Sequence, residues 1–200
     1  MKSRLSLIGL LAALVFAGFA FTEPTTDAVA LNVDTNASQV IWKGYKVTGS
    51  HEGTVQLKNG SLDYDNGQLT GGSFEIDMTT INCTDLQGDY KGQLEGHLKS
   101  ADFFGVENYP TAKFVITKVI SRGKPGDYKI TGNLTIKETT KEVKFQTTVN
   151  ESGAAKTAKG KLTIDRSEFD VRYGSGSFFD NLGDKTIYDE FDLEFTLVTK

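Results

Sequence analysis

Hydrophobic and polar residues alternate along most of the chain after residue 38. The clearest example is the C-terminal segment, whose apolar face carries Ile187, Phe191, Leu193, Phe195 and Leu197. A period of two is typical of β-strands that bury one face. The same alternation predicts eight strands, at 39–47, 54–58, 69–78, 112–120, 128–136, 143–149, 158–164 and 187–197.

Turn-forming residues separate several of these strands. Asn59-Gly60 and Asn66-Gly67 are dipeptides that favour tight hairpin turns, and residues 123–126 combine two glycines with a proline. We therefore expect neighbouring strands to be connected as antiparallel hairpins.

Eight strands with one apolar face each must bury that face and dispose of their exposed edges. Closure into an eight-stranded antiparallel β-barrel does both. A β-sandwich is the competing architecture, and the alternation does not exclude it.

One segment departs from the period of two. Between 84 and 100 the apolar positions Leu86, Tyr90, Leu94 and Leu98 are spaced by four, which predicts an amphipathic helix. Thr84 and the glutamine three residues later are placed as a capping box at its start. The glycines within this segment weaken a helix, so packing must hold it where it flanks or caps the barrel.

The N-terminus has the pattern of a secretory signal peptide. Lys2 and Arg4 precede an uncharged apolar run over 5–21. We predict cleavage after Ala20, with Ala30 as a second small-residue site, so that 1–20 is the signal peptide and 21–200 a single domain. The mature chain is then periplasmic or secreted, without stable membrane insertion. An uncleaved anchor is the alternative, because the run approaches the ~20 residues of a spanning helix.

The composition narrows the classes of partner. The 21 Gly and 13 Phe suit strands joined by tight turns. The net charge is −4, and removal of the signal peptide would make it more negative. Nucleic-acid binding needs a concentrated basic surface, so we expect no nucleic-acid partner.

Few residues suit catalysis or metal binding. Cys83 is the single cysteine, and we expect it to be a small buried hydrophobe rather than a reactive thiol. His51 and His97 are the only histidines, and neither HxH nor HExxH spacing is present. The motifs of serine hydrolases, P-loop proteins and dinucleotide-binding proteins are also missing. We therefore expect no catalytic residue, no metal site and no cofactor.

Two motifs lie close together in the centre of the chain. They read HLKSADFF at 97–104 and YPTAKF at 109–114. Together they closely resemble the central motif of the YceI family, in which a helix ends in such a stretch and leads through Tyr-Pro into a strand. Matches follow in the same order at GNLTI over 132–136, at Arg166 and Phe169 with Tyr173-Gly174, and in the strand from Ile187.

The resemblance implies an exported, lipocalin-like barrel with a long tubular cavity for a polyisoprenoid or an isoprenoid-quinone-like lipid. A lipid is therefore the expected partner, and self-association into a homodimer stays open. The residues expected to contact it from the barrel interior are Trp42, Phe74, Ile76, Phe114, Ile116, Leu134, Phe145, Phe191 and Phe195. Those expected toward the mouth or the helix are Phe103, Phe104, Phe169 and Tyr173, with His97 as a candidate for the head group. Plain filling of the core is the alternative for each of them.

Two other functions stay open at this point. One is an enzyme that acts on a barrel-bound lipid with His97 as acid or base, and the other is a stress-related structural module with a filled core. Arg166 is expected to have a structural role, either by pairing with a carboxylate such as Asp165 or Asp170 or by holding its loop through bidentate hydrogen bonds. A deep cavity with few charges on its wall would favour the lipid-binding functions, whereas a fully packed barrel would exclude both of them.

Overall fold

The computed structural model describes residues 28–150 and 154–200. Within them the chain forms nine strands and one α-helix, listed here in chain order: β1 (Ala28–Asn32), β2 (Gln39–Lys46), β3 (Gly49–Asp65), β4 (Gln68–Cys83), α1 (Gly88–Lys99), β5 (Thr111–Ser121), β6 (Asp127–Ile136), β7 (Thr139–Asn150), β8 (Thr157–Asp165) and β9 (Ile187–Val198). Short 3₁₀ turns occur at Arg166–Phe169 and Gly183–Lys185. The predicted signal peptide lies outside the described residues.

Strands β2 to β9 form a closed antiparallel ring. Each strand pairs with the next along the chain, and β9 returns to pair with β2, as in Val40 opposite Phe195. The short strand β1 is added outside this ring, on the second half of β3, with Leu31 opposite Leu62. The prediction of an eight-stranded antiparallel barrel with one helix is confirmed, and the sandwich is excluded.

The strand predicted at 54–58 is much longer than the alternation indicated. Asn59 and Gly60, which we expected to form a turn, lie inside β3 next to a β-bulge, so that prediction was wrong. A Cβ on Gly60 would lie 2.7 Å from a ring carbon of Phe74 on β4. Glycine serves here to let an aromatic ring approach the backbone, and not to turn the chain.

Two other turn predictions are confirmed. Asn66 and Gly67 connect β3 to β4 with φ angles of 49° and 79°, the left-handed conformation that a two-residue hairpin turn requires. Residues 122–126 connect β5 to β6, with Gly123 and Gly126 both at positive φ.

The helix is shorter than the predicted 84–100 and begins at Gly88. Gln87 occupies the N-cap position without a side-chain hydrogen bond, so the predicted capping box was wrong. Thr84 instead donates its hydroxyl to the carbonyl of Glu52, which ties the segment before the helix to β3. The helix packs against β4, although none of its residues is fully buried.

None of the helices in 28–150 and 154–200 has the length and the apolar character needed to cross a membrane.

Candidate functional site

The barrel axis is not filled by side chains. A cavity of about 270 Å³ lies at the end of the barrel that carries α1, and we call it the helix-end cavity. A second cavity of about 100 Å³ reaches toward the β3–β4 hairpin, and we call it the hairpin-end cavity. The two share the walls formed by Val40, Ile76, Leu134 and Leu193, so they follow one another along the barrel interior.

Aromatic rings form much of the wall of the hairpin-end cavity. The Phe114 ring lies between those of Phe74 and Phe145, with centroid distances of 6.3 Å and 5.6 Å. Phe145 in turn meets the Phe195 ring edge-on at 5.6 Å. Offset and edge-on contacts are the favoured geometries of such rings, so these side chains support one another around the space instead of closing it.

Glycines on the strands leave the space that these aromatic rings occupy. A Cβ on Gly132 would lie 2.3 Å from Phe114, and one on Gly160 would lie 2.5 Å from Phe195. The single tryptophan, Trp42, lies in the same way over Gly53 and donates its indole N–H to a backbone carbonyl. Because these glycines have no Cβ, each ring can approach the backbone closely, and space remains along the barrel axis.

The residues predicted to contact a ligand divide between the two cavities. Those at the hairpin end are Phe74, Ile76, Phe114, Ile116, Leu134, Phe145 and Phe195. Those at the helix end are Trp42, Ile76, His97, Phe103, Phe104, Leu134 and Phe191. Phe169 and Tyr173 line neither cavity. Phe169 is the last residue of the first 3₁₀ turn and is fully buried, whereas Tyr173 is exposed and its ring centroid lies 4.3 Å from that of His97.

Sequence reasoning missed several aliphatic side chains of the wall. They alternate along strands that were themselves predicted, as Val55 does on β3 and Met78 on β4. Leu94 and Leu98 of α1 also line the helix-end cavity, so the helix closes part of this end. The inward face of each strand was a usable signal, but among aliphatic residues the prediction applied it only to Ile76, Ile116 and Leu134.

His97 is a polar group in an apolar setting. It lies in the last turn of α1, and its ring makes T-shaped contacts with the rings of Tyr173 and Phe103, at centroid distances of 4.3 Å and 5.7 Å. Its Nε2 atom is buried and has no hydrogen-bond partner. Buried nitrogens without partners are rare in folded proteins, so this atom requires a physical account.

Arg166 also lines the helix-end cavity but has its partners within the protein. Its guanidinium donates to the carbonyl oxygens of Val171, Ile187 and Tyr188 and lies 3.3 Å from the carboxylate of Asp189. Burial lowers the pKa of this guanidinium, and the charge of Asp189 opposes that effect. Arg166 therefore has the expected structural role, since it ties the 3₁₀ turn to the start of β9, but the carboxylate it contacts is Asp189 and not Asp165 or Asp170.

A further polar cluster lies beside the helix-end cavity. The Cys83 thiol donates to one carboxylate oxygen of Asp85, and His51 Nδ1 lies 3.0 Å from the other. Cys83 is fully buried, and this burial raises the pKa of the thiol, with the hydrogen bond to Asp85 adding to the effect. The expectation of a buried cysteine is thus confirmed, and its thiol is held in the unreactive protonated form.

Tyr45, which lines the helix-end cavity, forms a further polar contact with Asp192. Tyr45 donates its hydroxyl to Asp192 at 2.8 Å, and Thr163 donates to the other oxygen of that carboxylate at 2.7 Å. These two hydrogen bonds lower the pKa of Asp192. In residues 28–150 and 154–200, no group of three or more His, Cys, Asp or Glu side chains is arranged to hold a metal ion.

The fold and the site together define a class of protein, a closed antiparallel β-barrel with an apolar interior cavity that a helix partly covers. A family model for the YceI-like domain matches residues 31–199. The chain therefore belongs to the YceI-like family.

Individual relatives agree with this assignment. A UPF0312 protein of Pseudomonas putida is 34% identical over 102 residues, which is 50% of this chain and 50% of that protein. The chain thus spans about half the length of the curated relatives it matches.

Among solved structures, BcnA of Burkholderia cenocepacia has a TM-score of 0.66 at 27% identity, covering 84% of this chain and 99% of that one. A polyisoprenoid binding domain from Saccharophagus degradans, implicated in plant cell wall breakdown, has a TM-score of 0.61 at 15% identity, with coverages of 84% and 97%. At that level of identity, the likeness to the second structure shows the shared fold alone.

Proposed function

We propose that this protein is an exported carrier or reservoir that reversibly holds a long-chain isoprenoid or an isoprenoid-quinone-like lipid inside its barrel. The observation that carries the proposal is the pair of adjoining apolar cavities along the barrel axis, where a packed core would leave no space. Membership of the YceI-like family supports it, as does the polyisoprenoid binding assigned to the structural neighbour from Saccharophagus degradans.

The size of the cavities is consistent with reversible binding. Together they accommodate about twelve methylene-sized groups, taking the roughly 30 Å³ that a water-sized group occupies. Burial of these groups contributes about 10 kcal/mol, against association costs of about 4–15 kcal/mol. The gain and the cost are of the same order, so burial of the chain does not make binding irreversible, as exchange by a carrier requires.

The signal-peptide pattern supports export, and the position of β1 favours cleavage after Ala20 over cleavage after Ala30. Residues 28–30 pair with 63–65 on β3, and cleavage after Ala30 would remove them from the sheet. Cleavage after Ala20 leaves β1 whole. Mass spectrometry of the protein from a periplasmic fraction should therefore find a mature chain that begins at Phe21. A chain that keeps residues 1–20 would contradict export by this route.

Lipid extraction tests the binding function directly. The full-length protein is produced with its N-terminal segment, purified from the exported fraction, extracted with organic solvent and analysed by lipid mass spectrometry. We expect a long apolar molecule at about one per barrel, since the cavities adjoin and form one site.

Two tryptophan variants on one strand give the control. Ala112 is buried and lines the helix-end cavity, whereas Lys113 points to solvent. Ala112→Trp places a ring in the cavity and should abolish lipid recovery, whereas Lys113→Trp adds the same ring outside and should leave it intact. Equal lipid content in the two folded variants would show that the lipid does not lie in the barrel.

A further inference from the structure

We propose that an exposed aromatic surface beside the mouth of the helix-end cavity docks the protein on an electrically neutral phospholipid bilayer. The inference rests on the proposed lipid-binding function for its purpose, because a carrier of a water-insoluble lipid must collect and release that lipid at a lipid surface. Docking is measurable whether or not the barrel contains a lipid, so the two proposals can fail separately.

The first step is the distribution of exposed apolar side chains. Eight large ones are exposed in residues 28–150 and 154–200. Five of these eight, each 40–51% exposed, belong to three neighbouring segments at the helix end of the barrel. We call them the rim surface, and they are Val47, Tyr173, Phe178, Phe179 and Tyr188.

Hydrogen bonds hold the three segments of the rim surface together. The amide of Val47 donates to the carbonyl of Thr186, and the amide of Ile187 donates to the carbonyl of Gly174. The segment with the two phenylalanines is tied down as well, since the Ser177 hydroxyl donates to a carboxylate of β9 at 2.6 Å. The exposed rings are therefore held in place by a structured loop.

The rim surface is continuous with the opening of the helix-end cavity. Tyr188 is half exposed and also lines that cavity, so the cavity reaches the protein surface at this side chain. Lys46, which precedes Val47, lines the same cavity. Phe178 and Phe179 line neither cavity, so they lie outside the space that a ligand would fill.

The size of the rim surface favours a bilayer over a second copy of the chain. Four aromatic side chains and a valine, each about half exposed, present roughly 400 Å² of apolar area. A stable protein interface takes about 800 Å² from each partner. A second chain seated here would also cover the opening at Tyr188, whereas a bilayer places apolar material directly against it.

The side chains of the rim surface suit the boundary between lipid head groups and acyl chains. Tyr173 and Tyr188 each combine an apolar ring with a hydroxyl group, and such residues are enriched at this boundary. The Arg172 guanidinium lies over the Phe178 ring, 4.8 Å from its centroid. A long cationic side chain beside a buried ring reaches back to the polar head groups.

The charge around the rim surface selects the kind of bilayer. Residues 170–190 contain two cationic side chains against five acidic ones, which gives a net charge of −3. Arg172 is already paired with Asp170. Lys46 and the buried Arg166 reduce this negative charge but do not reverse it. An anionic bilayer would therefore repel this side of the protein, whereas a zwitterionic bilayer would not.

Vesicle flotation tests the inference. The protein is purified from the exported fraction, because the apolar run over 5–21 would itself bind lipid. It is floated at low salt with vesicles of phosphatidylcholine and, separately, of phosphatidylglycerol. We expect binding to phosphatidylcholine and weaker binding to phosphatidylglycerol. The reverse order would overturn the choice of a neutral bilayer.

Two double variants locate the contact. Phe178→Ser with Phe179→Ser removes two rings from the rim surface and should weaken binding to phosphatidylcholine by about 10- to 100-fold. Val29→Ser with Ile120→Ser removes two exposed apolar side chains at the other end of the barrel and should leave binding unchanged. Because neither phenylalanine lines a cavity, the first variant should keep the lipid content of the original protein.

Tryptophan fluorescence shows whether the rim surface enters the bilayer. The emission of Phe179→Trp should shift to shorter wavelength with phosphatidylcholine vesicles, whereas that of Ile120→Trp should not. Trp42 lies in the barrel wall and contributes the same background to both variants. Equal shifts would contradict insertion at the rim surface.

The outcomes separate this inference from the proposed function. If the original protein does not bind phosphatidylcholine, or if the phenylalanine variant binds it equally well, the docking surface is refuted whatever the barrel contains. If vesicles bind but no lipid is recovered from the barrel, the carrier function fails and the docking surface stands. A dimer that sedimentation detects and the phenylalanine variant dissociates, without vesicle binding, would show that this face joins two copies and would overturn the inference.

Discussion

The hairpin-end cavity allows the role of ligand chain length to be tested with one substitution. Ala158, on β8, is 3% exposed and lines this cavity but not the helix-end cavity. The substitution Ala158→Leu adds three carbons to its wall. A volume of about 100 Å³ accommodates about three methylene-sized groups at roughly 30 Å³ each. The leucine therefore occupies the space that a ligand tail would otherwise reach.

The expected effect follows from the same three groups. At about 0.8 kcal/mol for each buried methylene, a long chain loses about 2.4 kcal/mol, which is about a 60-fold weaker affinity. A chain of up to about nine groups fills the helix-end cavity alone and should bind as before, taking roughly 30 Å³ for each group. The substitution changes packing within an apolar space, so the free energy of unfolding should change by less than about 1.5 kcal/mol.

Displacement titrations with straight-chain alcohols of graded length provide the assay. For the original protein, affinity should rise with each added carbon until both cavities are full, whereas for Ala158→Leu it should reach its plateau about three carbons earlier. Ala112→Leu, in the helix-end cavity, serves as the matched control and should weaken short and long chains alike. Equal losses for short and long alcohols in Ala158→Leu would refute the sequential filling of the two cavities.

Three further outcomes are expected from the packing and the charges. Gly132→Ala brings a Cβ to 2.3 Å from the Phe114 ring and should lower the free energy of unfolding by about 1–3 kcal/mol. Gly92→Ala, on the helix with open space around it, should raise the free energy of unfolding by about 0.5–1 kcal/mol. Equal changes for the two variants in chemical denaturation would contradict this prediction. Cys83 should react with thiol reagents at neutral pH only after unfolding, because burial raises its pKa, and rapid labelling of the native protein would refute its enclosure. The hydrogen bond from Thr163, followed by that from Tyr45, lowers the pKa of Asp192. The ionised carboxylate therefore stabilises the fold above the ordinary pKa of 3.8, and this stabilisation is lost as the pH falls through the lower pKa of the folded state. Asp192→Asn should flatten this acid dependence of the free energy of unfolding in denaturation curves, and an unchanged pH profile would contradict the prediction.

Most of the barrel was predictable because its information is local. The alternation that predicted a strand at 187–197 is the direct mark of one buried face, and β9 spans Ile187–Val198. The turn at Asn66-Gly67 was equally readable, since its residues accept positive φ. The same local rule failed at Asn59-Gly60, where a distant ring on β4 made the glycine necessary.

The candidate site was predictable in its lining but not in its shape. An inward-facing position such as Phe114 or Leu134 follows from strand period, and both line the cavities. Phe169 belongs to the same aromatic set, yet the 3₁₀ turn buries it away from both spaces. Whether such residues fill or surround the axis depends on ring orientations, and these are set across strands by partners such as Gly132 and Gly160.

The local pattern of the chain determined its strands, most of its turns and its family, since period and turn chemistry act between residues close in sequence. Closure of the barrel determined the rest. Barrel closure placed His97 beside Tyr173, which is distant in sequence, and left its Nε2 without a hydrogen-bond partner. It also paired Arg166 with Asp189, although Asp165 and Asp170 are nearer in sequence. Burial and hydrogen bonding depend on which distant side chains come together, and no local pattern contains that information.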